Sequence, residues 1–152
     1  MTVGVISDTH GLVRPAAIEA LRGSELIVHC GDVGDPAVLD ALRALAPVRA
    51  VRGNNDKGRW AASLPCSEVV EAGGQMLYVL HDMADLDLEP AAAGFAAVLC
   101  GHSHRPSVER RRGVLYVNPG SAGPRRFTLP IAVAQLVVSP RGCDARIVEL
   151  PA

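Results

Sequence analysis

The chain has 152 residues, of which 49% are hydrophobic and 20% are charged, and its formal net charge at pH 7 is −1. This length allows one sizeable buried core, and the apolar content excludes an intrinsically disordered protein. The near-neutral charge and the lack of an extended basic face argue against a protein that binds long nucleic acids. We therefore expect a single domain over residues 1–152.

The first half of the chain alternates short apolar runs with helix signals. The second helix has the stronger start signal, because Asp35 can cap it and Pro36 occupies its first helical position. This β-α-β-α-β order predicts a parallel sheet with right-handed crossovers. The predicted strands are residues 2–7, 25–30 and 48–51, and the predicted helices are residues 14–23 and 35–46.

The second half of the chain contains many short strands and few helices. One short helix is predicted at 88–94, where Pro90 and Gly94 limit its length. Many strands with few helices predict a second sheet that packs on the first. The expected fold class is therefore α/β, a sandwich of two sheets flanked by helices. The predicted strands here are 67–72, 75–80, 96–100, 107–111, 114–118, 131–138 and 145–150.

The cysteines and the start of the chain indicate the cellular compartment. The four cysteines show no C-x-x-C spacing, which is typical of reduced thiols rather than of disulfides or a zinc knuckle. The start "MTVGVISDTH" lacks a signal peptide, and no apolar run approaches the roughly 18 residues of a membrane span. We expect a cytoplasmic protein with no membrane partner. The cysteines are Cys30, Cys66, Cys100 and Cys143.

Polar side chains of the types that bind metals follow five of the predicted strands. One histidine or aspartate at a strand end is usually a solvated or turn-forming residue, but five consecutive junctions of this kind indicate a shared site. The carboxyl ends of parallel strands meet at one edge of a sheet, which would gather these side chains. The seven candidate ligands are Asp8, His10, Asp32, Asn54, His81, His102 and His104.

The number and type of these donors predict the kind of metal centre. Seven donors exceed what one four-coordinate zinc needs and suit two adjacent ions with open positions. Imidazole and carboxylate donors without cysteine point to transition metals rather than to calcium. We expect two divalent cations, with Mn²⁺ as the first choice and Fe, Zn, Ni, Co or Mg as alternatives.

The order of the short motifs resembles a known family. The blocks "DTH", "GD", "GNND", an isolated histidine and "GHSH" resemble those of the calcineurin-like metallophosphoesterases. The short length and the segment "VNPGS" at 117–121 are similar to the small YfcE-like phosphodiesterase branch. The resemblance implies a four-layer α/β sandwich of the metallo-dependent phosphatase type. It also implies hydrolysis of small or nucleotide phosphodiesters by a hydroxide that bridges two metals.

The same resemblance implies how the ligands divide between the two ions. One set of side chains would hold the first metal, a second set would hold the other, and Asp32 would bridge both ions. Asp32, Asn54 and Asp56 are the residues expected to take part in catalysis, and Asp56 is either a turn-stabilising residue or one that orients a ligand. The two sets are Asp8, His10 and His104, and Asn54, His81 and His102.

Two positions depart from the family pattern. Many relatives place a histidine after the asparagine of the "GNND" block, where it resembles a general acid, but this chain has Asn55. An amide has no proton to give near pH 7, so we expect a preference for substrates with good leaving groups. The branch commonly has His-Gly-His where this chain has His81, Asp82 and Met83, so one accessory histidine is missing.

A second function and an assembly state stay open. The same sandwich resembles a retromer subunit that acts as a protein-binding platform, so the alternative is a non-catalytic or weakly active interaction scaffold. All seven positions carry competent donors, which favours the enzyme. The branch is also similar to known dimers, so a homodimer is an alternative to a monomer.

A few further residues have simpler interpretations. His29 lies within an apolar run and is interpreted as a satisfied core histidine. Asn118 and Ser121 are expected to shape a turn beside the site. Arg14 and Arg105 flank the metal loops, and a helix-start or surface role is favoured for each over contact with phosphate.

Overall fold

The structure is a computed structural model that describes residues 1–151. In chain order the strands are β1 (Thr2–Ile6), β2 (Leu26–His29), β3 (Val48–Ala50), β4 (Ser67–Ala72), β5 (Gln75–Leu80), β6 (Ala97–Leu99), β7 (Ser107–Arg111), β8 (Val114–Asn118), β9 (Ile131–Ser139) and β10 (Gly142–Leu150). The helices are α1 (Pro15–Leu21), α2 (Pro36–Arg43), α3 (Arg59–Ala62) and α4 (Pro90–Ala93). None of the helices within the described residues is long and apolar enough to cross a membrane.

The first sheet has five strands in the order β10-β9-β1-β2-β3. Strands β1, β2 and β3 are parallel, as the alternation of strands and helices predicts. β9 pairs antiparallel with the other edge of β1, and β10 pairs antiparallel with β9. The last two strands therefore return to the first sheet rather than joining the other second-half strands, because they complete the free edge of β1.

The second sheet has five strands in the order β4-β5-β6-β8-β7. Its centre is parallel, since β5 pairs with β6 and β6 pairs with β8 in the same direction. Two antiparallel hairpins, β4-β5 and β7-β8, form its edges. The predicted fold class, a two-sheet α/β sandwich, is confirmed.

The core lies in three layers. Small aliphatic side chains such as Val28 and Val79 fill the space between the two sheets. Helices α1 and α2 cover the outer face of the first sheet, where Leu21 and Leu42 are fully or almost fully buried. A third cluster around Tyr78 covers the outer face of the second sheet. Burial of each large aliphatic side chain stabilises the fold by about 1.5–3 kcal/mol, and together these layers fix the loops that carry the site.

Helices α1 and α2 begin within one residue of the predicted starts, α4 begins two residues later than predicted, and all three end earlier. The Asp35 side chain caps α2 by accepting a hydrogen bond from the Ala37 amide at 2.8 Å, but the helix ends at Arg43. The predicted helix at 88–94 is the single turn α4, which Gly94 ends with a φ of +85°. Helix α3 and a 3₁₀ turn at Met83–Asp85 were not predicted, because single turns leave too short a hydrophobic pattern to recognise.

Candidate metal centre

The seven candidate ligands lie on loops that follow five strands, three in the first sheet and two in the second. Asp8 and His10 follow β1, and Asp32 follows β2. Asn54 follows β3, while the remaining three histidines follow β5 and β6. All of these loops lie at the same end of the sandwich, and the donors come from both sheets. The second sheet contributes His81, His102 and His104, and the first sheet contributes the other four.

Asp8 lies at the middle of the candidate centre. Its Oδ1 atom is 3.4 Å from Nε2 of His104, and 3.9 Å from Nε2 of both His10 and His81. Two donors about 2.1 Å from a common ion and at a tetrahedral angle lie about 3.4 Å apart, so these separations fit donors that share a cation. Asp8, His10 and His104 form one group of donors within 4.8 Å of one another, and this is the first predicted ligand set.

Asp32 lies between this group and His81. Its Oδ2 atom is 3.8 Å from Nε2 of His10 and 3.4 Å from Nε2 of His81. Asp8, Asp32 and His81 form a second group whose donors lie within 4.8 Å of one another. The position of Asp32 between two histidines of different predicted sets fits a carboxylate shared by two ions.

Asn54 and His102 form the outer part of the centre. The Asn54 Oδ1 atom is 3.3 Å from Nδ1 of His102, whose ring stands edge-on to that of His81 with 5.2 Å between centroids. The His102 side chain is 46% exposed, whereas that of His104 is 4% exposed. The centre is therefore open to solvent at Asn54 and His102 and closed at His104.

Four buried polar atoms in this region have no hydrogen-bond partner among the described residues: Asp8 Oδ1, His10 Nε2, His81 Nε2 and His104 Nδ1. An unpartnered polar atom in a protein interior is costly, and each such atom in a native fold needs an explanation. All four belong to candidate ligands, and they include both anionic oxygen and imidazole nitrogen. Divalent cations would supply the missing partner of Asp8 Oδ1, His10 Nε2 and His81 Nε2, whereas in His104 it is Nε2 rather than the unpartnered Nδ1 that lies near Asp8.

The backbone at these positions is unusual. Five of the seven candidate ligands have a positive φ: Asp8 (55°), His10 (47°), Asp32 (54°), His102 (73°) and His104 (61°). A residue other than glycine in this conformation costs about 1–2 kcal/mol and persists where the surrounding structure fixes it. The left-handed residues turn each loop sharply, so that the two donors of "DTH" and of "HSH" both reach the centre.

Hydrogen bonds orient the donors. Nδ1 of His81 bonds to the carbonyl oxygen of Cys30 at 2.7 Å, which leaves Nε2 without a proton and facing the two carboxylates. Asp8 Oδ2 accepts hydrogen bonds from Ser7 Oγ at 2.7 Å and from the His102 amide at 3.0 Å. Ser7 was not recognised in the sequence, because a serine beside an aspartate gives no signal of its own.

Asn55 contacts Asp32 with both its backbone and its side chain. The backbone amide donates to Oδ1 of Asp32 at 2.8 Å, and the side-chain Nδ2 donates to Oδ2 at 3.1 Å. Asn55, at the position where the family resemblance implies a histidine, thus holds the Asp32 carboxylate in place. The sequence identified the position but not this contact, since the two residues are 23 positions apart.

Asp56 links two of the loops. Its carboxylate is 1% exposed and accepts hydrogen bonds from the amides of Gly53 at 2.9 Å, Gly34 at 2.9 Å and Val33 at 3.2 Å. Both oxygens are therefore occupied by backbone amides that belong to the loops carrying Asp32 and Asn54. These contacts favour a positioning role, and participation of Asp56 in the chemistry stays a prediction.

Gly53 and Gly101 allow the loops to approach one another closely. A Cβ atom on Gly53 would collide with the backbone nitrogen and Oδ1 of Asp32, and one on Gly101 would collide with Ser7 Oγ. At each position the neighbour is held by its own hydrogen bonds and has little room to move. Glycine is therefore required for the central carboxylates to reach their positions.

The segment 117–121 makes hydrogen bonds to two of the loops that carry candidate ligands. Asn118 Nδ2 donates to the carbonyl oxygen of Gly101 at 3.0 Å and to Ser103 Oγ at 3.1 Å, and its Oδ1 accepts from the Gly120 amide at 2.9 Å. Ser121 Oγ donates to the carbonyl oxygen of Asp8 at 3.0 Å. The predicted turn beside the site is confirmed.

The two flanking arginines do not contact the candidate ligands directly. Arg14 is the residue directly before α1 and makes no capping bond with its side chain, which donates to the carbonyl oxygen of Gly123 at 3.2 and 3.3 Å. Arg105 is exposed to solvent. Both findings agree with the structural interpretation of these residues.

His29 is a buried residue with satisfied hydrogen bonds. Nδ1 accepts from the Gly31 amide at 3.1 Å, so Nε2 carries the proton and donates to Thr9 Oγ1 at 3.0 Å. Thr9 Oγ1 in turn donates a hydrogen bond to the carbonyl oxygen of Val33 at 2.8 Å. Burial lowers the pKa of His29 to about 3, so the ring is neutral. The interpretation as a core histidine is confirmed.

The charges of the candidate ligands are set by burial and by their contacts. Burial opposes ionisation of Asp32, but its contacts with His81 and Asn55 outweigh this effect and hold its pKa well below the ordinary value. Burial also opposes a charge on His81, but the nearby Asp32 carboxylate and the bond to the Cys30 carbonyl raise its pKa nevertheless. Burial lowers the pKa of His104. Ionised carboxylates and neutral imidazoles are the forms that bind metals.

Two clefts adjoin the open side of the centre. The main cleft, of about 510 Å³, lies between the 52–57 loop and the 81–87 segment, and Asn54 and His81 line its inner end. The side cleft, of about 220 Å³, is lined by His102, Ser103 and Tyr116. Asp82 lines both clefts, and its Oδ2 atom is 3.6 Å from Nε2 of His102. A substrate can therefore reach Asn54, His81 and His102 from solvent.

Comparisons of the sequence with known proteins identify related phosphoesterases. Residues 1–140 match the model of the calcineurin-like phosphoesterase superfamily domain. A probable metallophosphoesterase of Methanocaldococcus jannaschii is 37% identical over 134 residues, which cover 80% of this chain and 68% of that protein. A probable metallophosphoesterase of Methanothermobacter thermautotrophicus is 32% identical over 161 aligned positions, which cover 98% of this chain and 92% of the relative.

Solved structures share the fold over most of the chain. An archaeal phosphodiesterase is 25% identical, with a TM-score of 0.83 and coverage of 99% of this chain and 100% of that one. The phosphoesterase YfcE from E. coli is 26% identical, with a TM-score of 0.69 and coverage of 90% and 88%. Vps29 of Chaetomium thermophilum is 21% identical, with a TM-score of 0.78 and coverage of 99% and 97%, which shows a common fold.

Proposed function

The chain belongs to the calcineurin-like phosphoesterase superfamily, and from this premise we propose that it is a dinuclear metal-dependent phosphodiesterase acting on small or nucleotide phosphodiesters. The observation that carries the proposal is the set of buried donors without partners, which four candidate ligands contribute at one point between the sheets. Likeness to the archaeal phosphodiesterase, at 25% identity, supports diesters as the substrate class.

The candidate ligands would hold two ions. Asp8, His10 and His104 would bind one ion, Asn54, His81 and His102 would bind the other, and Asp32 would be shared. When bound, two divalent cations act as Lewis acids toward the phosphoryl group and lower the pKa of coordinated water. We propose Mn²⁺ as the native metal, with Fe, Zn, Ni, Co or Mg as alternatives, since the donor set contains imidazole, carboxylate and amide groups and no thiolate.

The protein groups around the centre position the donors and the substrate. Asn55 fixes the orientation of the Asp32 carboxylate, and Cys30 fixes that of the His81 ring. Asn54 contributes a neutral oxygen, which leaves more positive charge on its ion than an aspartate would. Arg52 and Lys57 line the main cleft and present positive charge to the non-bridging oxygens of a phosphodiester.

The leaving group has no evident proton donor on the 53–56 loop. The Asn55 side-chain amide is engaged with Asp32, and an amide does not titrate near neutral pH. The departing alcohol must therefore leave as an anion or take its proton from water. We propose that the enzyme acts best on esters of acidic alcohols, such as aryl phosphodiesters.

An interaction scaffold is the second candidate function, because the fold is similar to that of Vps29. The two candidates differ in whether the donor set is used for catalysis. The test is to remove metal with a chelator, add Mn²⁺, and follow hydrolysis of bis-p-nitrophenyl phosphate by wild type and by Asp32→Ala. Turnover that requires metal and is lost in the variant is expected. An absence of turnover with each of the six metals, with no effect of Asp32→Ala on metal content, would sink the enzyme proposal.

We place this activity in the cytoplasm, where reduced thiols are stable. All four cysteines are free, and Cys30, Cys100 and Cys143 are buried. Burial raises the pKa of Cys100 to about 12, which keeps this thiol protonated.

A further inference from the structure

The main cleft has two walls of opposite charge. Arg52 and Lys57 line the wall formed by the 52–57 loop, and Asp82, Asp85 and Asp87 line the facing wall. Arg52 is fixed through Nε, which donates to the carbonyl oxygen of Asp56 at 3.2 Å. The basic wall lies next to Asn54 and the acidic wall begins next to His81, so both walls lead away from the candidate metal centre.

The inner end of the cleft reaches the candidate metal centre. His81 lines the cleft with a side chain that is only 5% exposed, and its Nε2 atom has no hydrogen-bond partner among residues 1–151. This nitrogen faces the carboxylates of Asp8 and Asp32 and belongs to the candidate ligands of the centre. The cleft is therefore continuous with the place where the phosphoryl group is expected to be bound.

The acidic wall is not neutralised by the basic one. Asp85 and Asp87 are exposed, and neither makes a salt bridge with an arginine or lysine within the described part of the chain. The other charged groups that line the cleft are Arg52 and Lys57 opposite, Asp82 on the same segment, and Asp56, whose carboxylate is already taken by backbone amides. Tyr78 and Leu80 add an aromatic and an aliphatic surface to the same cleft.

We propose that the main cleft selects phosphodiesters in which one of the two esterified alcohols carries an ammonium group. The inference rests on the proposed phosphodiesterase activity and narrows its substrate class. The phosphate of such a zwitterion meets the centre and the basic wall, while its cation meets the aspartates. Substrates with further phosphate groups are disfavoured, because Asp85 and Asp87 repel them.

Two aryl diesters test the proposal with a single difference between them. One is the p-nitrophenyl ester of phosphocholine, and the other is its neutral analogue with a 3,3-dimethylbutyl group in place of choline. Both release p-nitrophenolate and have the same shape, so the ratio of their kcat/KM values reports only the positive charge. We expect the cationic ester to be preferred by about 10-fold in wild type, from two exposed charge pairs.

The double variant Asp85→Asn/Asp87→Asn is expected to reduce this preference to about 2-fold or less, mainly through a higher KM for the cationic ester. The matched control is Glu71→Gln/Glu149→Gln, which removes two exposed carboxylates that do not line the main cleft and should keep the preference. The preference of wild type should also shrink at high salt, because exposed charges are screened.

The outcomes separate this inference from the proposed function. If wild type loaded with Mn²⁺ hydrolyses neither aryl diester nor bis-p-nitrophenyl phosphate, the phosphodiesterase proposal is lost. If it hydrolyses both esters at equal kcat/KM, or prefers the neutral one, only the ammonium site is overturned. Equal loss of preference in the variant and in the Glu71/Glu149 control would also overturn it, because net charge rather than the cleft would be responsible.

Discussion

Asn55 holds both oxygens of Asp32, through its backbone amide at 2.8 Å and its side-chain amide at 3.1 Å. The position at which the family resemblance leads one to expect a histidine is thus occupied by a residue whose side chain is committed to the Asp32 carboxylate. An amide in this place orients Asp32 and cannot protonate a leaving group. The same residue therefore strengthens the geometry of the centre and removes one catalytic function from it.

We predict that the rate of wild type falls steeply as the pKa of the leaving alcohol rises, because no general acid assists its departure. Asn55→His should raise kcat/KM for an alkyl leaving group by at least about tenfold relative to Asn55→Ala, since general acids contribute roughly 10²–10⁴. Both variants lose the side-chain bond to Asp32, so Asn55→Ala is the matched control. The measurement is kcat/KM across aryl and alkyl esters. A shallow dependence in wild type would contradict the prediction.

Asp56→Asn tests whether Asp56 positions the loops or takes part in the chemistry. The amide presents an NH₂ group to backbone amides that need an acceptor, so we expect a loss of about 1–3 kcal/mol in the free energy of unfolding. Metal affinity should fall roughly 10-fold, as for other residues that orient ligands. The shape of the pH–rate profile should stay unchanged. Loss of one limb of that profile would instead assign Asp56 a proton-transfer role.

Gly53→Ala is expected to disrupt the centre through a steric effect alone. The new Cβ would collide with backbone and side-chain atoms of Asp32, so we predict at least roughly 10-fold weaker metal binding, measured by competition with a chelator. Gly23→Ala is the control, because an added Cβ there has nothing within 4 Å, and any strain from the positive φ of Gly23, which Gly53 does not share, lies away from the centre. Equal metal affinity in both variants would show that the close approach at Gly53 is unimportant.

The buried His29 predicts a pH dependence of stability. Its pKa is about 3 in the folded protein, against an ordinary value of 6.5, so the unfolded chain binds more protons between these values. Its contribution is complete above pH 6.5 and is lost as the pH falls toward 3. We predict that acidification of metal-free protein from pH 7 to pH 5 costs about 2 kcal/mol through this residue.

The measurement for His29 is urea denaturation of wild type and of His29→Gln at both pH values, with a chelator present. The variant has no titrating group at this position, so its free energy of unfolding should change by about 2 kcal/mol less. Titration of the other histidines is common to both proteins and cancels in the comparison. Identical pH dependence in the two proteins would show that folding does not lower the pKa of His29.

Much of the site could be predicted because its residues follow strands. Asp8, Asp32 and His81 each come directly after an apolar run, and the parallel pairing of the strands brings such positions to one end of the sandwich. The family resemblance read from the same motifs is confirmed by the match over residues 1–140. The prediction of a two-sheet α/β architecture is also confirmed. It could be made from the sequence because strand and helix signals are local.

Other features depend on contacts between distant residues and leave no local signal. The pairing of β9 with β1 joins the two ends of the chain, and no pattern within β9 specifies its partner. The bond between Asn55 and Asp32 and the positive φ of the candidate ligands likewise appear only when the loops are packed together. Asp and His adopt this conformation more often than most residues, but no local pattern shows which of them do so.

The place of β1 between β2 and β9 has a consequence for biosynthesis. β1 is made early, but its partner β9 and Ser121, which bonds to the Asp8 carbonyl from 113 residues further along, are made late. A chain that emerges from the ribosome in order cannot settle the Asp8 loop until these segments have been released. Metal loading is therefore expected to follow translation rather than to accompany it, and a nascent chain arrested before β9 should not retain its ions.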